Sequence, residues 1–109
     1  MAAIHLIKKH GPGHAPVDKV PGEKDTYTSG YWTISEKTAQ LLVGGDIYLH
    51  ERQLDKSFYG GRIIQAWIEE SGEFAGKAVF KFVFSPEHKG VATAQAGWGQ
   101  EMKLELPPQ

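Results

Sequence analysis

The sequence predicts an α+β domain: a small mixed β-barrel of five to six strands with one or two short helices. Three observations predict this class. Several short segments alternate apolar and polar residues as strands do, glycine and proline separate them, and one segment has helical spacing. The 109 residues fit a single domain over 1–109, because a chain of this size buries one core without disulfides or metal.

The first half of the chain contains two predicted strands and the helix. Residues 2–8 alternate loosely and predict a strand, and the glycines and prolines that follow predict a long Pro/Gly/His loop at about 9–27. Residues 29–34 are rich in aromatic and β-branched side chains and predict a strand. Ser35 is a good N-cap for a short helix after it, and Gly44–Gly45 provides the helix stop.

The second half consists of predicted strands and turns. Asp46 to Leu54 alternates as a strand, and the glycine pair Gly60–Gly61 predicts a chain reversal. Residues 62–69 predict the next strand. Residues 77–84 place three phenylalanines on one face, and 102–106 predict a closing strand.

Composition and charge narrow the functional classes. The chain has no cysteine, which excludes disulfides and thiolate chemistry and is compatible with a reducing cytoplasm. No signal peptide or membrane-spanning stretch is recognised, so we expect a cytoplasmic protein with no membrane partner. The net charge of -1 argues against a protein that binds nucleic acid by neutralising many phosphates. It is compatible with a pocket that recognises a single base.

The histidines are the first candidates for chemistry. His5, His10 and His14 have spacings that could approach one ion, but no carboxylate stands at a recognisable ligand spacing, so we favour a solvated loop over a metal site. His50 shares one face of its predicted strand with Tyr48 and Arg52. That face either borders a cavity or is the solvent face of an edge strand.

Three tryptophans are the candidates for binding a flat ligand. Trp32, Trp67 and Trp98 each lie beside small or polar residues, and a base stacked on an indole contributes about 1–3 kcal/mol. The alternative is that they anchor the core. No phosphate-binding loop, dinucleotide fingerprint or nucleophile elbow is present, so catalysis is not indicated and no cofactor is expected.

The order of elements resembles that of PUA-like domains of the EVE, ASCH and YTH types. The resemblance covers about residues 29–85: an aromatic strand into a helix at Ser35, a Gly-Asp pair opening the strand of His50, and glycine before the next strand. It implies a small barrel with a pocket beside Trp32 that accepts a nucleobase, often a modified one, between aromatic rings.

These observations favour a reader domain that recognises a nucleobase, modified or not, in DNA or RNA. Its binding residues are drawn from the resemblance and from the physical candidates: Trp32, Ser35, His50, Gln53, Tyr59, Trp67 and Trp98. Two alternatives stay open. One is a small enzyme acting on a nucleoside or amide, with His50 as general base near Glu51 or Glu69; the other is a protein-interaction module. The oligomeric state is not predicted.

Overall fold

The computed structural model of the protein describes residues 2–7, 17–99 and 102–106. In these ranges seven strands form one mixed sheet, in the order β2-β3-β6-β5-β4-β1-β7, with one helix against β5 and β6. The elements in chain order are β1 (Ala3–Ile7), β2 (Val17–Lys19), β3 (Thr26–Trp32), α1 (Glu36–Leu41), β4 (Asp46–His50), β5 (Tyr59–Ile68), β6 (Ala78–Phe84), a 3₁₀ turn (Pro86–His88) and β7 (Met102–Glu105).

The predicted helix and its caps are confirmed. The Ser35 side chain accepts a hydrogen bond from the backbone N–H of Thr38 at 3.2 Å, as an N-cap does. The helix ends at Leu41 with Leu42 as its C-cap, and Gly44 follows with a φ of 87°, a conformation that glycine adopts without strain. Within the described ranges, no helix has the length and apolar composition needed to cross a membrane.

The sheet is not closed into the predicted barrel. Closure would require the two edge strands to pair, but β2 and β7 lie at opposite ends of the strand order. The predicted loop at 9–27 also differs, because residues 17–19 and 26–27 belong to strands. Residues 9–16 of this loop lie outside the described residues. The mostly-β character and the single short helix agree with the predicted class, but the described ranges contain seven strands rather than the predicted five or six.

Gly60–Gly61 does not reverse the chain, which corrects the prediction. Both residues lie inside β5, where Tyr48 and Ile47 of β4 are their partners. A Cβ on Gly60 would collide with the carbonyl of Ile47, and one on Gly61 with the carbonyl of Val83. The pair is therefore needed because neighbouring backbones approach too closely for any side chain.

The two faces of the sheet differ in chemistry. One face carries the apolar core, in which the largest fully buried side chains include Phe80 and Phe82. On β1 and β4, Ile4 and Ile47 are register partners on this core face. Because side chains alternate along a strand, the next pair, His5 and Tyr48, points to the opposite face. That second face holds the candidate site.

Candidate acid–base site

Three strands bring the polar side chains together. β1 runs parallel to β4 and antiparallel to β7, so His5 has Tyr48 on one side and Lys103 on the other. Ala3, one pleat earlier, has Glu105 as its partner on β7. Residues from the beginning, middle and end of the described chain thus share one patch of the sheet.

A chain of short contacts runs through this patch. His50 Nδ1 lies 2.9 Å from the backbone carbonyl oxygen of Asp55, and His50 Nε2 lies 2.9 Å from His5 Nδ1. His5 Nε2 in turn lies 2.6 Å from Glu105 Oε1. His5 and His50 are buried, whereas the Glu105 side chain is 48% exposed. We call this set, from the Asp55 carbonyl to Glu105, the relay.

A stack of rings holds the relay from one side. Tyr48 lies between two imidazoles, with ring centroids 4.8 Å from His5 and 5.0 Å from His88. His88 Nε2 is 2.8 Å from Asp46 Oδ1, and the 3₁₀ turn of His88 packs directly over Gly60. Gly60 therefore has a second role, because it leaves the space in which His88 reaches the sheet.

The segment that follows the 3₁₀ turn covers the other side. Ser57 anchors it: the Ser57 Oγ donates to the His88 carbonyl at 2.6 Å and accepts from the Val91 N–H at 2.9 Å. Further along, Trp98 stands edge-on to His5 and His50, with centroids 6.1 and 5.6 Å away. Its indole N–H is buried and has no partner among the described residues, as is also true of His88 Nδ1.

A hydroxyl, an amine and a carboxylate meet where the relay ends. Lys103 Nζ donates to Thr93 Oγ1 and to the Ala94 carbonyl, both at 2.7 Å. Thr93 Oγ1 donates to Glu105 Oε1 at 3.3 Å, so Thr93 Oγ1 and His5 Nε2 both contact the same oxygen of Glu105. Lys103 is only 9% exposed, because its stem crosses the covered face of the sheet.

A groove of about 410 Å³ opens over these groups. Its wall comes from three strands and the covering segment: Ala3, His5, Asp46, Tyr48, Val91, Ala92, Thr93, Ala94 and Glu105. The volume lies within the range of about 300–1,000 Å³ that is usual for small-molecule sites. The side chains of Thr93, Glu105 and His5 therefore border a space that a small ligand can enter.

Burial sets the protonation of the two relay histidines. It lowers the pKa of His5, although the hydrogen bond to Glu105 and the charge of Glu105 act in the opposite direction. Burial likewise lowers the pKa of His50 against the hydrogen bond to the Asp55 carbonyl. Both rings are therefore biased towards the neutral form, since removing an imidazolium from water is costly.

The structure does not bring the predicted binding residues into one cavity. Trp32 belongs to the apolar core, is 5% exposed, and donates to Ser29 Oγ at 3.2 Å. Ser35 caps the helix. Trp67 is half-buried on β5 and donates to Glu69 Oε1 at 2.9 Å, while Tyr59 packs on the core beside Phe84.

Two other predicted residues lie at or next to the relay. His50 is part of it, and β4 is an interior strand rather than an edge, so the solvent-face alternative for His50 does not hold. Trp98 contacts both imidazoles. Gln53 donates to the Gly99 carbonyl at 2.8 Å and lines a separate surface groove with Arg52 and Asp55.

Sequence reasoning did not single out Thr93, Lys103, Glu105 or His88. The register of β1 with β7 places Lys103 and Glu105 beside His5, and no local motif marks that register. Thr93 reaches these two residues from the segment that follows the 3₁₀ turn. The sequence suggests His5 only as a possible metal ligand together with His10 and His14, and these two residues lie outside the described ranges. In the described part, no group of three or more His, Cys, Asp or Glu side chains is arranged to hold a metal ion.

Comparison with protein-family models, curated proteins and solved structures finds no match to this chain.

Proposed function

We propose that this protein is a small hydrolase that cleaves an amide or ester through the hydroxyl of Thr93. The observation that supports this is the contact of Thr93 Oγ1 with Glu105 Oε1 at 3.3 Å, the same oxygen that His5 Nε2 approaches to 2.6 Å. A hydroxyl within reach of a base that a third group orients is the arrangement that activates Ser and Thr nucleophiles.

The proposed reaction has two balanced halves. Thr93 Oγ1 bonds to the substrate carbonyl carbon while its proton passes to Glu105; the carbon–nitrogen or carbon–oxygen bond then breaks, and the leaving group takes that proton. The product is an acyl ester on Thr93. Water then attacks the ester, gives a proton to Glu105, and this proton returns to Thr93 Oγ1 as the carboxylic acid leaves.

Lys103 has a separate role in this proposal. Its Nζ lies 2.7 Å from Thr93 Oγ1 and is oriented by the Ala94 carbonyl, so it stabilises negative charge that develops on the hydroxyl oxygen. A fixed cation in a covered site is more effective than one in water. Removing one such stabilising group typically slows turnover by about 10²–10³-fold.

The test is to trap the acyl intermediate with p-nitrophenyl acetate and locate the acetyl group by mass spectrometry. We expect acetylation at Thr93, its loss in Thr93→Ala and its retention in Thr93→Ser. Thr33 is the matched control, because Lys77 Nζ also donates to its Oγ1, at 2.6 Å, without a relay behind it among the described contacts. Unmodified Thr93, or equal p-nitrophenol release by Thr93→Ala, would contradict the proposal.

A second candidate is the PUA-like reader of a nucleobase, modified or not, in DNA or RNA. What favours it is the polar lining of the groove: the carboxylates of Asp46 and Glu105 accept from amino groups at a base edge. Stacking on Tyr48 is not part of this candidate, because His5 and His88 already cover its ring faces.

Tryptophan fluorescence tests the reader, since Trp98 lies against the relay next to the groove. Titration with a panel of nucleosides and short oligonucleotides is expected to quench it, and Trp98→Phe is expected to abolish the response. Trp67→Phe serves as the control, because Trp67 lies on β5, donates to Glu69 and does not belong to the groove lining. An unchanged signal across the panel would exclude this candidate.

A further inference from the structure

Three residues of the groove lie in one row across the sheet. Ala3 on β1 is the register partner of Asp46 on β4 and of Glu105 on β7, so all three side chains point to the same face. Neighbouring strands lie about 5 Å apart, so the Cα atoms of Asp46 and Glu105 are separated by about 10 Å. The methyl group of Ala3 therefore lies between two carboxylates, one at each side of the groove.

The space between these two carboxylates has an apolar lining of short side chains. Ala3 lies in the middle of the row, and Val91, Ala92 and Ala94 of the covering segment also line the groove. Their side chains contain no polar atom, and the longest is that of a valine. Such a lining accommodates a narrow apolar group, and an unbranched alkyl chain is the simplest group of this kind.

Asp46 has one carboxylate oxygen left for a ligand. His88 Nε2 donates to Asp46 Oδ1 at 2.8 Å, and among the described residues no hydrogen bond engages Oδ2. The Asp46 side chain is 16% exposed, so salt screens its charge less than that of an open surface carboxylate. A guanidinium binds a carboxylate through two parallel N–H donors, whereas an ammonium needs a single oxygen. The second oxygen of Asp46 therefore suits a primary ammonium.

The neighbouring charges leave the Asp46 side of the groove attractive to a cation. Burial raises the pKa of Tyr48, whose ring also borders the groove, and the negative charges of Asp46 and Glu105 raise it further. Lys103 acts at the Glu105 side, two strands away from Asp46. Within the described part of the chain, Arg62 is the register partner of Asp46 on β5, but it is exposed and forms no ion pair with it.

We propose that the groove selects substrates whose acyl group is an unbranched alkyl chain ending in a primary ammonium, which Asp46 binds while the scissile carbonyl lies at Thr93. The identity of the substrate rests on the proposed hydrolase; the binding of an ammonium group by Asp46 does not. The alkyl chain crosses the row over Ala3, and the bonds that form and break are those already given for Thr93. Asp46 is thus a specificity-determining residue.

Two p-nitrophenyl esters of equal size test the selection. The ε-aminocaproate ends in an ammonium, and the heptanoate has a methyl group in its place. We expect kcat/KM to favour the ε-aminocaproate by about 10–100-fold, the range for a hydrogen bond between charged groups, and to favour it over the guanidino analogue as well. Equal values for the ε-aminocaproate and the heptanoate would overturn the proposal.

Asp46→Asn removes the charge but keeps an oxygen that accepts from His88, so the preference for the ammonium ester should disappear. The ratio of the two esters is insensitive to a loss of folded protein, because both meet the same enzyme. Asp18→Asn is the matched control, since Asp18 is an exposed carboxylate on β2 at the other edge of the sheet and should leave the preference unchanged. A preference that persists in Asp46→Asn would contradict the assignment.

Hexylamine and hexanol test the ammonium site without any reaction. In calorimetric titrations the native protein should bind hexylamine about 10–100-fold more tightly than hexanol, and Asp46→Asn should lose this difference. Absence of an acetyl group on Thr93 after treatment with p-nitrophenyl acetate would remove the hydrolase, while the amine titration would still decide the role of Asp46. Equal binding of the two probes by the native protein would overturn that role even if Thr93 is acetylated.

Discussion

His5 and His50 meet at 2.9 Å between Nδ1 and Nε2, although 45 residues separate them in the sequence. The contact exists because β1 inserts between β4 and β7 and pairs in parallel with β4. Neither residue has a free ring nitrogen, since the outer nitrogens are engaged by Asp55 and Glu105. Four measurable consequences follow from this arrangement and the structure around it.

The stability of the protein should decrease in mild acid. Burial lowers the pKa values of His5 and His50 in the folded state, so the unfolded chain binds more protons as the pH falls below 6.5. The free energy of unfolding should therefore fall from pH 6.5 downwards, by up to about 1.4 kcal/mol for each unit of pKa difference. Urea denaturation between about pH 5 and 8 measures it. The double variant His5→Gln, His50→Gln should show a flatter dependence; an identical slope would contradict the assignment.

Gly60→Ala should destabilise the fold by about 1–3 kcal/mol, because the new methyl group collides with the Ile47 carbonyl and crowds the Cβ of His88. Gly99→Ala is the matched control, since among the described residues its methyl group would meet only the Met102 carbonyl oxygen, at an ordinary 3.4 Å. Chemical denaturation gives both values. Equal losses in the two variants would show that the close approach at Gly60 is unimportant.

Lys103→Met should lower hydrolysis of p-nitrophenyl acetate by about 10²–10³-fold, because the cation beside Thr93 Oγ1 is lost. Lys77→Met is the control: it removes the lysine that contacts Thr33 and should leave the rate unchanged. Initial rates, with thermal melting to establish that both variants are folded, provide the comparison. Equal rates for Lys103→Met and the native protein would remove Lys103 from the mechanism.

Tyr59 should contribute to a loss of stability in strong alkali. Burial raises its pKa, and the hydrogen bond to Tyr27 acts in the same direction. The unfolded chain then ionises first, so the free energy of unfolding falls as the pH rises above 10, the ordinary value for tyrosine. Tyr59→Phe should weaken this dependence; an unchanged dependence in Tyr59→Phe would contradict the assignment. The measurement is denaturation at increasing pH, with phenolate absorbance reporting ionisation.

The sequence predicted most elements but not the way they join. Alternation and turn residues located β1, α1 and β6 because those signals are local. These signals do not reveal β2, which has only three residues. They also assign Gly60–Gly61 to a turn, because a close approach of neighbouring backbones cannot be read from the local sequence. The local sequence likewise does not show which strands pair, so it could not distinguish the observed open sheet from a closed barrel.

The candidate site was only partly predictable for the same reason. His50 and Trp98 stand out in the sequence by residue type and by their neighbours. His50 belongs to the relay, and Trp98 contacts both of its imidazoles. Trp32 carried an equally strong aromatic signal but lies in the core. Thr93 lies among small residues without a recognisable motif, and it becomes notable only when Lys103 and Glu105 are placed beside it.

The insertion of β1 between β4 and β7 also determines when the site comes into existence during synthesis. While β7 is still inside the ribosome, the emerged part of the chain has neither the Glu105 carboxylate nor the Lys103 amine that complete the site. At that stage Thr93 lacks its contacts with Lys103 and Glu105. Any chemistry at this groove is thus withheld from the growing chain until its last described strand emerges and docks.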